Sequence, residues 1–431
     1  MSNHPISAFI EKYTKRLQIN LLACLCFSIV IFLLSSCSKE NHAPSATITS
    51  FTPSNGVTGT TVLITGSNFS VTPGNNLVKF NGTTATVIAS TGSSITAIVP
   101  VGSTNGTITV TLNGVTATSS SSFIVDPDLY LLGVNKGGAS YYAYWKNGNP
   151  FNITGVNGAG AIAVSGPDVY ITSSVSISSN KDQGAISKNG NITLLDAGAT
   201  TQFAGPSAIF ISGSDVFAAG WEQTAKGEFF AKYWKNGKGV VLSDTTSTSY
   251  SGKSGFATDI FVSGTDVYVG GNVNNNAVFW KNGVLTTLST NNSGVNSIVV
   301  SNGDVYAAGE EVNASNIRVA KYWKNGVAVS LSDGTTDSYL SAIRVVNNDI
   351  YATGGVNTVA TYWKNGAPSS LYSGPFNSSS FAMALSTTGD VYIALLIGPD
   401  SSNGYSTALW KNGILTNPFL GTNTWSMCLG Q

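Results

Sequence analysis

The chain has 431 residues, 42% apolar and only 10% charged, and its 21 basic and 21 acidic side chains cancel. At about 100–200 residues per domain this allows two to four domains with a sizeable core, and without a basic field nucleic acid is set aside as a partner. The two histidines, His4 and His42, precede every segment that patterns as folded, which sets aside histidine triads, zinc centres and haem ligation.

Residues 1–36 read as a targeting signal. Lys12, Lys15 and Arg16 supply a positive start, and Leu21–Leu34 is an almost wholly apolar run of 14 residues. That length suits the core of a signal peptide and falls short of the ~20 residues of a membrane span. The run ends in Leu34-Ser35-Ser36-Cys37, which resembles the bacterial lipobox. The resemblance implies cleavage before Cys37, a diacylglycerol on its thiol, and a tether over residues 37–43. Ser38-Lys39-Glu40 is similar to the short signal by which some Gram-negative bacteria send lipoproteins to the outer surface. The expected location is therefore the outer membrane, lipid-anchored and facing the exterior, with the periplasm as the alternative. Of four cysteines only Cys37 and Cys428 would remain, so no disulfide framework forms and stability rests on core area.

Residues 44–125 alternate short β-branched runs with turn residues: Thr61–Thr65, Leu77–Phe80, Ala85–Ile88, Ile95–Val99 and Gly106–Thr111. Asn55-Gly56, Asn81-Gly82, Asn105-Gly106 and Asn113-Gly114 punctuate them, and Asn-Gly favours hairpins because both residues accept positive φ. Strands spaced in this way predict a β-sandwich. Phe51-Thr-Pro53-Ser-Asn-Gly56, Gly59-Thr-Thr-Val-Leu-Ile-Thr-Gly66-Ser-Asn-Phe69, Val78-Lys-Phe80-Asn-Gly82 and Phe123 resemble the IPT/TIG family of immunoglobulin-like domains. Such domains occur in DNA-binding transcription factors and in bacterial surface proteins. A signal peptide and a single base, Lys79, favour the second use, as a spacer, with a glycan-contacting module as the alternative.

From Asp128 to the end, residues 128–431, the chain repeats itself. Lys-Asn-Gly begins at Lys146, Lys188, Lys235, Lys281, Lys324, Lys364 and Lys411. An opening Asp recurs at 128, 168, 215, 266, 304, 349 and 390, with spacings of 40, 47, 51, 38, 45 and 41. Four short strands at that period predict a β-propeller blade. The Ile-x-Val segments, apolar on both faces, predict the inner strand A. The Asp-Val-Tyr segment is then B, the Tyr-Trp segment C, and the run after Asn-Gly D. The repeats start at B and end on an A-like Trp425–Leu429, so that the last strand should complete the first blade. The expected fold is all-β: an immunoglobulin-like β-sandwich followed by a seven-bladed β-propeller. The repeats resemble the seven-bladed extracellular propeller-repeat proteins of bacteria, a grouping that says little about ligand.

In this strand order the uniform A–B and C–D turns share one face, and the long, variable B–C and D–A loops share the other. Function concentrates on variable loops of a rigid scaffold, which makes the long-loop face the candidate site. Six Trp residues precede Lys-Asn-Gly (145, 234, 280, 323, 363, 410), with Ser187 in the second repeat; a repeated aromatic beside a turn reads as packing between blades. Trp221 lies outside that pattern, in a candidate loop. The seven Asp residues are expected to accept backbone N–H bonds in the A–B turn, not to bind metal. Arg344 stands mid-strand where other blades place Ala, Phe, Val or Cys, and Asp259 where they are mostly small. Each reads as a buried ion pair or channel lining, or as a ligand contact. The acidic candidates in the loops are Glu222, Glu228, Glu310 and Glu311. No histidine can assist them, so no enzyme activity and no cofactor or metal is expected.

The resulting expectation is a monomeric, non-catalytic surface lipoprotein whose propeller binds a glycan or a protein partner. Trp221, Glu222, Glu310, Glu311, Asn313, Tyr250, Tyr339, Tyr405 and Arg344 are its candidate ligand residues, and Cys37 its lipidation site. A structural or assembly role, or a propeller glycoside hydrolase or lyase, are the alternatives.

Overall fold

The computed structural model describes residues 44–135, 141–242, 254–400, 404–419 and 422–430, and almost every regular element among them is a strand. The exception is one 3-10 turn at Pro73–Asn75. The chain divides into two compact units between Val125 and Asp126. Cys37 and Tyr250 lie outside the described residues.

The first unit is a two-sheet sandwich. One sheet orders Thr47–Thr52, Thr61–Ser67, Ser94–Ile98 and Thr86–Ser90; the other orders Asn55–Gly56, Val115–Val125, Gly106–Leu112, Leu77–Phe80 and Thr83–Thr84. Alternation places Val62 and Ile64, Val78 and Phe80, Ile95 and Ala97, and Ile108 and Val110 inside, all at most 1% exposed. Phe123 packs edge-on to Phe80 at 5.1 Å between centroids. Two of the four Asn-Gly pairs make the expected turn: Asn81 and Gly82 have φ of 42° and 90°, Asn113 and Gly114 of 50° and 80°. The other two do not. Asn55–Gly56 instead pairs in parallel with Ile124 and Val125, and Gly106 opens a strand while the Asn105 amide accepts the Val125 N–H.

The second unit is a seven-bladed propeller of four-stranded antiparallel sheets. Blades are numbered here by their B strands. The inner strands are Thr422–Gly430 for blade 1, then Gly158–Ser165, Thr201–Ser212, Gly255–Ser263, Ser293–Ser301, Ser338–Val346 and Ser378–Leu385 for blades 2–7. Blade 1 is closed by the last strand of the chain, in the register Leu129↔Leu429 and Leu131↔Met427. The indoles of Trp234, Trp280, Trp323 and Trp363 are at most 1% exposed. Each belongs to a core shared with the blade before it, as Trp363 does with Tyr306 and Ala320.

The turn face is held by one repeated device. In each blade the opening Asp meets both residues of the Lys-Asn pair. In blade 3, Lys235 Nζ lies 2.8 Å from Asp215 Oδ2, and Asn236 Nδ2 donates to Asp215 Oδ1 at 2.8 Å. The Asn236 side-chain oxygen accepts the Val216 N–H at 2.8 Å, and the lysine lies over the Phe217 ring. The expectation that these Asp residues accept backbone N–H bonds in the A–B turn is thus corrected. In blades 2–4 that turn is set by a glycine at positive φ (Gly166, Gly213, Gly264), and the carboxylate serves the neighbouring C–D turn.

Every inner strand is bulged about halfway along, for example between Ala257 and Asp259 and between Leu340 and Ala342. A bulge kinks the strand and brings its backbone close to strand B. A Cβ at Gly271, Gly309 or Gly354 would meet a main-chain oxygen of strand A at 1.9–2.0 Å, so only glycine fits there. The bulged side chains then bridge blades: Ser207 donates to Ala257 O (3.0 Å), Thr258 to Val295 O (2.5 Å), Asn296 to Leu340 O (2.9 Å) and Ser341 to Ser380 O (2.7 Å).

Candidate functional site

Just above those glycines, on the side of the B–C and D–A loops, blades 3–6 carry a contiguous arc of large polar and aromatic side chains. Trp221, Asn272, Glu310 and Gly355 occupy the same place in successive B strands. Each follows the close-approach glycine and pairs with Gly205, Phe256, Gly294 and Tyr339 of strand A. Glycine opposite an aromatic leaves the ring a floor to lie on. Trp221 covers Gly205, and Tyr339 covers Gly355.

At the blade 3 end Trp221, Phe229 and Phe256 form a half-buried aromatic cluster, with Phe229 4.9 Å from Phe256 and 5.3 Å from Trp221. Beside it the Asn272 amide and the Glu310 carboxylate both approach Gly294. Asn296 Nδ2 donates to Glu310 Oε2 at 2.8 Å. The Arg318 guanidinium stands 5.7 Å over the Tyr339 ring. Burial pushes the Glu310 carboxyl above the usual carboxylate range, although the Asn296 amide and the Arg318 charge pull it down. Tyr339 is likewise raised by burial.

The arc brings together Trp221, Glu310 and Tyr339 of the residues singled out in the sequence. Phe229, Phe256, Asn272, Asn296 and Arg318 were missed there, because their nearness depends on how neighbouring blades align. The other acids have different tasks. Glu222 and Glu311 are on strands, not loops, since the B–C hairpins of blades 3 and 5 stay paired as far as Gln223–Phe229 and Val312–Arg318. Glu222 is buried against Lys232 at 2.7 Å and accepts from Thr201 at 2.9 Å. Glu311 holds Lys321 at 2.8 Å. Burial acts upward on Glu311, but Lys321, Ser289 and Asn291 outweigh it and hold the group below its ordinary range. Asn313 shapes its own turn, accepting from Ser315 and Ile317 and donating to Gly334 O. Tyr405 is exposed on strand C of blade 7.

Arg344 is not on the rim. It lines the axial cavity of the propeller, about 370 Å³, with Asp259, Asn296, Ser297, Trp425 and Cys428. Burial pushes the Cys428 thiol up to about 12. Among the described residues no cluster of His, Cys, Asp and Glu is arranged to hold a metal ion.

Residues 46–124 match the IPT/TIG domain family. That stretch is an IPT/TIG domain. It has a hydrophobic core of its own, built on Val62, Ile64, Phe80, Ile95 and Phe123. No curated protein sequence matches the chain. Among solved structures it is similar to a Bacteroides thetaiotaomicron protein of unknown function, at 13% identity and TM-score 0.36 over 87% of this chain and 86% of that one. It is also similar to an auxiliary nutrient binding protein of the same organism, at 11% identity and TM-score 0.28 over 88% and 85%. A puromycin-hydrolyzing peptidase of Mycobacterium tuberculosis aligns at 10% identity and TM-score 0.42 over 61% and 46%. Likenesses this distant do not bear on function.

Proposed function

We propose that this protein is a non-catalytic, lipid-anchored binding protein of the outer membrane. Its propeller takes a glycan on the rim of blades 3–6, and its IPT/TIG domain serves as a spacer. The observation that carries the reading is the junction of the Trp221–Phe229–Phe256 cluster with Asn272, Asn296, Glu310, Arg318 and Tyr339. An aromatic surface suits the C–H face of a sugar ring, and amides, a carboxyl and a guanidinium suit its hydroxyls. Glycoside hydrolysis needs two carboxyl groups flanking one bond. Glu222 and Glu311 are each committed to a lysine, which leaves Glu310 as the rim acid with a neutral partner.

Glycan-array binding tests the rim. Trp221→Ala should lower affinity at least tenfold while the melting temperature changes little. Unchanged binding, or capture of protein partners alone, refutes the glycan reading. The anchor has its own test: Cys37→Ser should abolish metabolic labelling by a fatty acid and leave an unprocessed precursor. A labelled mutant refutes lipidation, and a protein that external protease cannot reach on intact cells refutes surface display.

A further inference from the structure

Two of the seven inner strands bring a charge into the axial cavity. In blade 4 Asp259 replaces the small residues found at its position, and its oxygens accept the N–H groups of Ile260 and Ile298, each at 2.9 Å. Ser297 and Ser426 take the corresponding N–H of the following blade, at 3.4 and 3.3 Å, with a neutral hydroxyl. A carboxylate is therefore more than the blade contact requires. In blade 6 the contacts of the Arg344 guanidinium all run through Nη1, to Ile343 O at 2.7 Å and Ser297 Oγ at 3.5 Å. Ser297 stands between the two charges, and they form no direct ion pair. Burial opposes both charged forms, raising the Asp259 carboxyl and lowering Arg344, while each group offsets part of the other's shift.

Both residues are half-buried and line the cavity. A pair with only a structural task would close into a direct ion pair, because partly desolvated charges gain most from a direct partner. Here the Asp259 carboxylate also takes the Ser297 hydroxyl, while Nη2 and Nε of Arg344 and a remaining carboxylate lone pair are left for a guest in a space of about 370 Å³. That volume lies within the ~300–1,000 Å³ of small-molecule sites. A lone anion would be repelled by Asp259, a lone cation by Arg344, and a neutral apolar guest would leave both desolvated. We propose that the axial cavity binds a small carboxylate that also carries a hydrogen-bond donor, its carboxylate on Arg344 and its donor on Asp259. Sugar acids and α-amino acids share that chemistry. The two sites meet at Asn296, which lines the cavity and also donates to Glu310 on the rim, but the cavity proposal does not depend on the rim's being a glycan site.

Isothermal titration of the full mature protein tests this, with galacturonate and glucuronate in one arm and serine and glutamine in another. Galactose and glucose are the neutral controls. One of the two carboxylate-bearing classes should bind saturably and the neutral sugars at least tenfold more weakly, and the class that binds identifies the source. Arg344→Met should abolish binding. Arg344→Lys, which keeps the charge but lacks the planar fork, should weaken it at least tenfold, and serves if the first variant fails to fold. Trp221→Ala should leave it unchanged. Binding by neither class, equal binding of neutral sugars, or full affinity in Arg344→Lys overturns the site. A Trp221-sensitive glycan signal that survives such a result leaves the rim reading standing alone.

Discussion

Glu222 and Lys232 show how one strand position can carry opposite meanings. Their side chains are 6% and 5% exposed and meet at 2.7 Å. Lys232 also donates to Asp196 O and Glu222 accepts from Thr201, so the pair ties the D–A connection of blade 2 to blade 3. Removing one partner strands the other charge in the interior, which costs about 3–5 kcal/mol. Lys232→Met should therefore lower stability by that amount in denaturant unfolding, and Glu222→Leu added to it should recover part of the loss. An unchanged midpoint in the single mutant would mean that water reaches the pair. One register step away, Trp221 faces the rim half-buried. Side chains that alternate across a strand reach different surroundings, and sequence spacing alone does not say which.

At the scale of the element, the repeated turn accounts for the near-identity of the Lys-Asn-Gly segments. Asn147, Asn189, Asn236, Asn282, Asn325, Asn365 and Asn412 all have φ of 48–51°, a region where Asn is tolerated best among residues with a Cβ. The same amide joins strand B to the opening Asp. Lysine and asparagine hydrogen bonds hold Asp168, Asp215, Asp266 and Asp304 below the ordinary carboxylate range, and at Asp349 the Asn365 amide leads. A depressed folded-state pKa adds stability that is complete above the unfolded value of about 3.9 and is lost as pH falls through the folded value. The melting temperature should drop progressively below about pH 4, and Asp215→Asn should flatten part of that drop while leaving the neutral plateau slightly lower. A melting temperature insensitive to pH between 4 and 2.5 would show that these pairs are solvated and add nothing.

At the scale of the whole propeller, ring closure rests on the last strand, since Cys428 is the one cysteine among the described residues and is free. Thr422–Gly430 supplies the inner strand of blade 1, with Met427 buried beside Leu129 and Leu131. Deleting residues 422–431 removes several buried side chains at about 1.5–3 kcal/mol each, against the ~5–15 kcal/mol that holds a domain folded, and exposes unpaired strand edges. The truncated chain should aggregate or melt far lower. Deleting residues 44–125, which have a separate core, should leave the propeller transition in place. Calorimetry distinguishes the two, and a truncation that keeps the full-length transition would show that the ring closes elsewhere.

By itself the sequence determined the all-β class, the four-strand repeat, the number of blades and the strand that closes the ring, but only five of the nine strands of the sandwich. Each follows from short-range signals, period-two alternation and turn residues, repeated often enough to be read as a period. Tertiary structure decided the rest. Asn55–Gly56 became strand instead of turn because a neighbouring strand claimed its backbone, and Asn105 turned its side chain to the Val125 N–H while Gly106 opened a strand. Glu222 and Glu311 were taken from the candidate surface by lysines ten residues away, while Glu310, beside one of them, stayed on the rim. The bulges that put Asn296 against Glu310, and Ser297 between Asp259 and Arg344, leave no mark in composition or spacing. They arise where seven twisted sheets converge on an axis, and which side chains meet there depends on the register between blades, a long-range property that no local segment encodes.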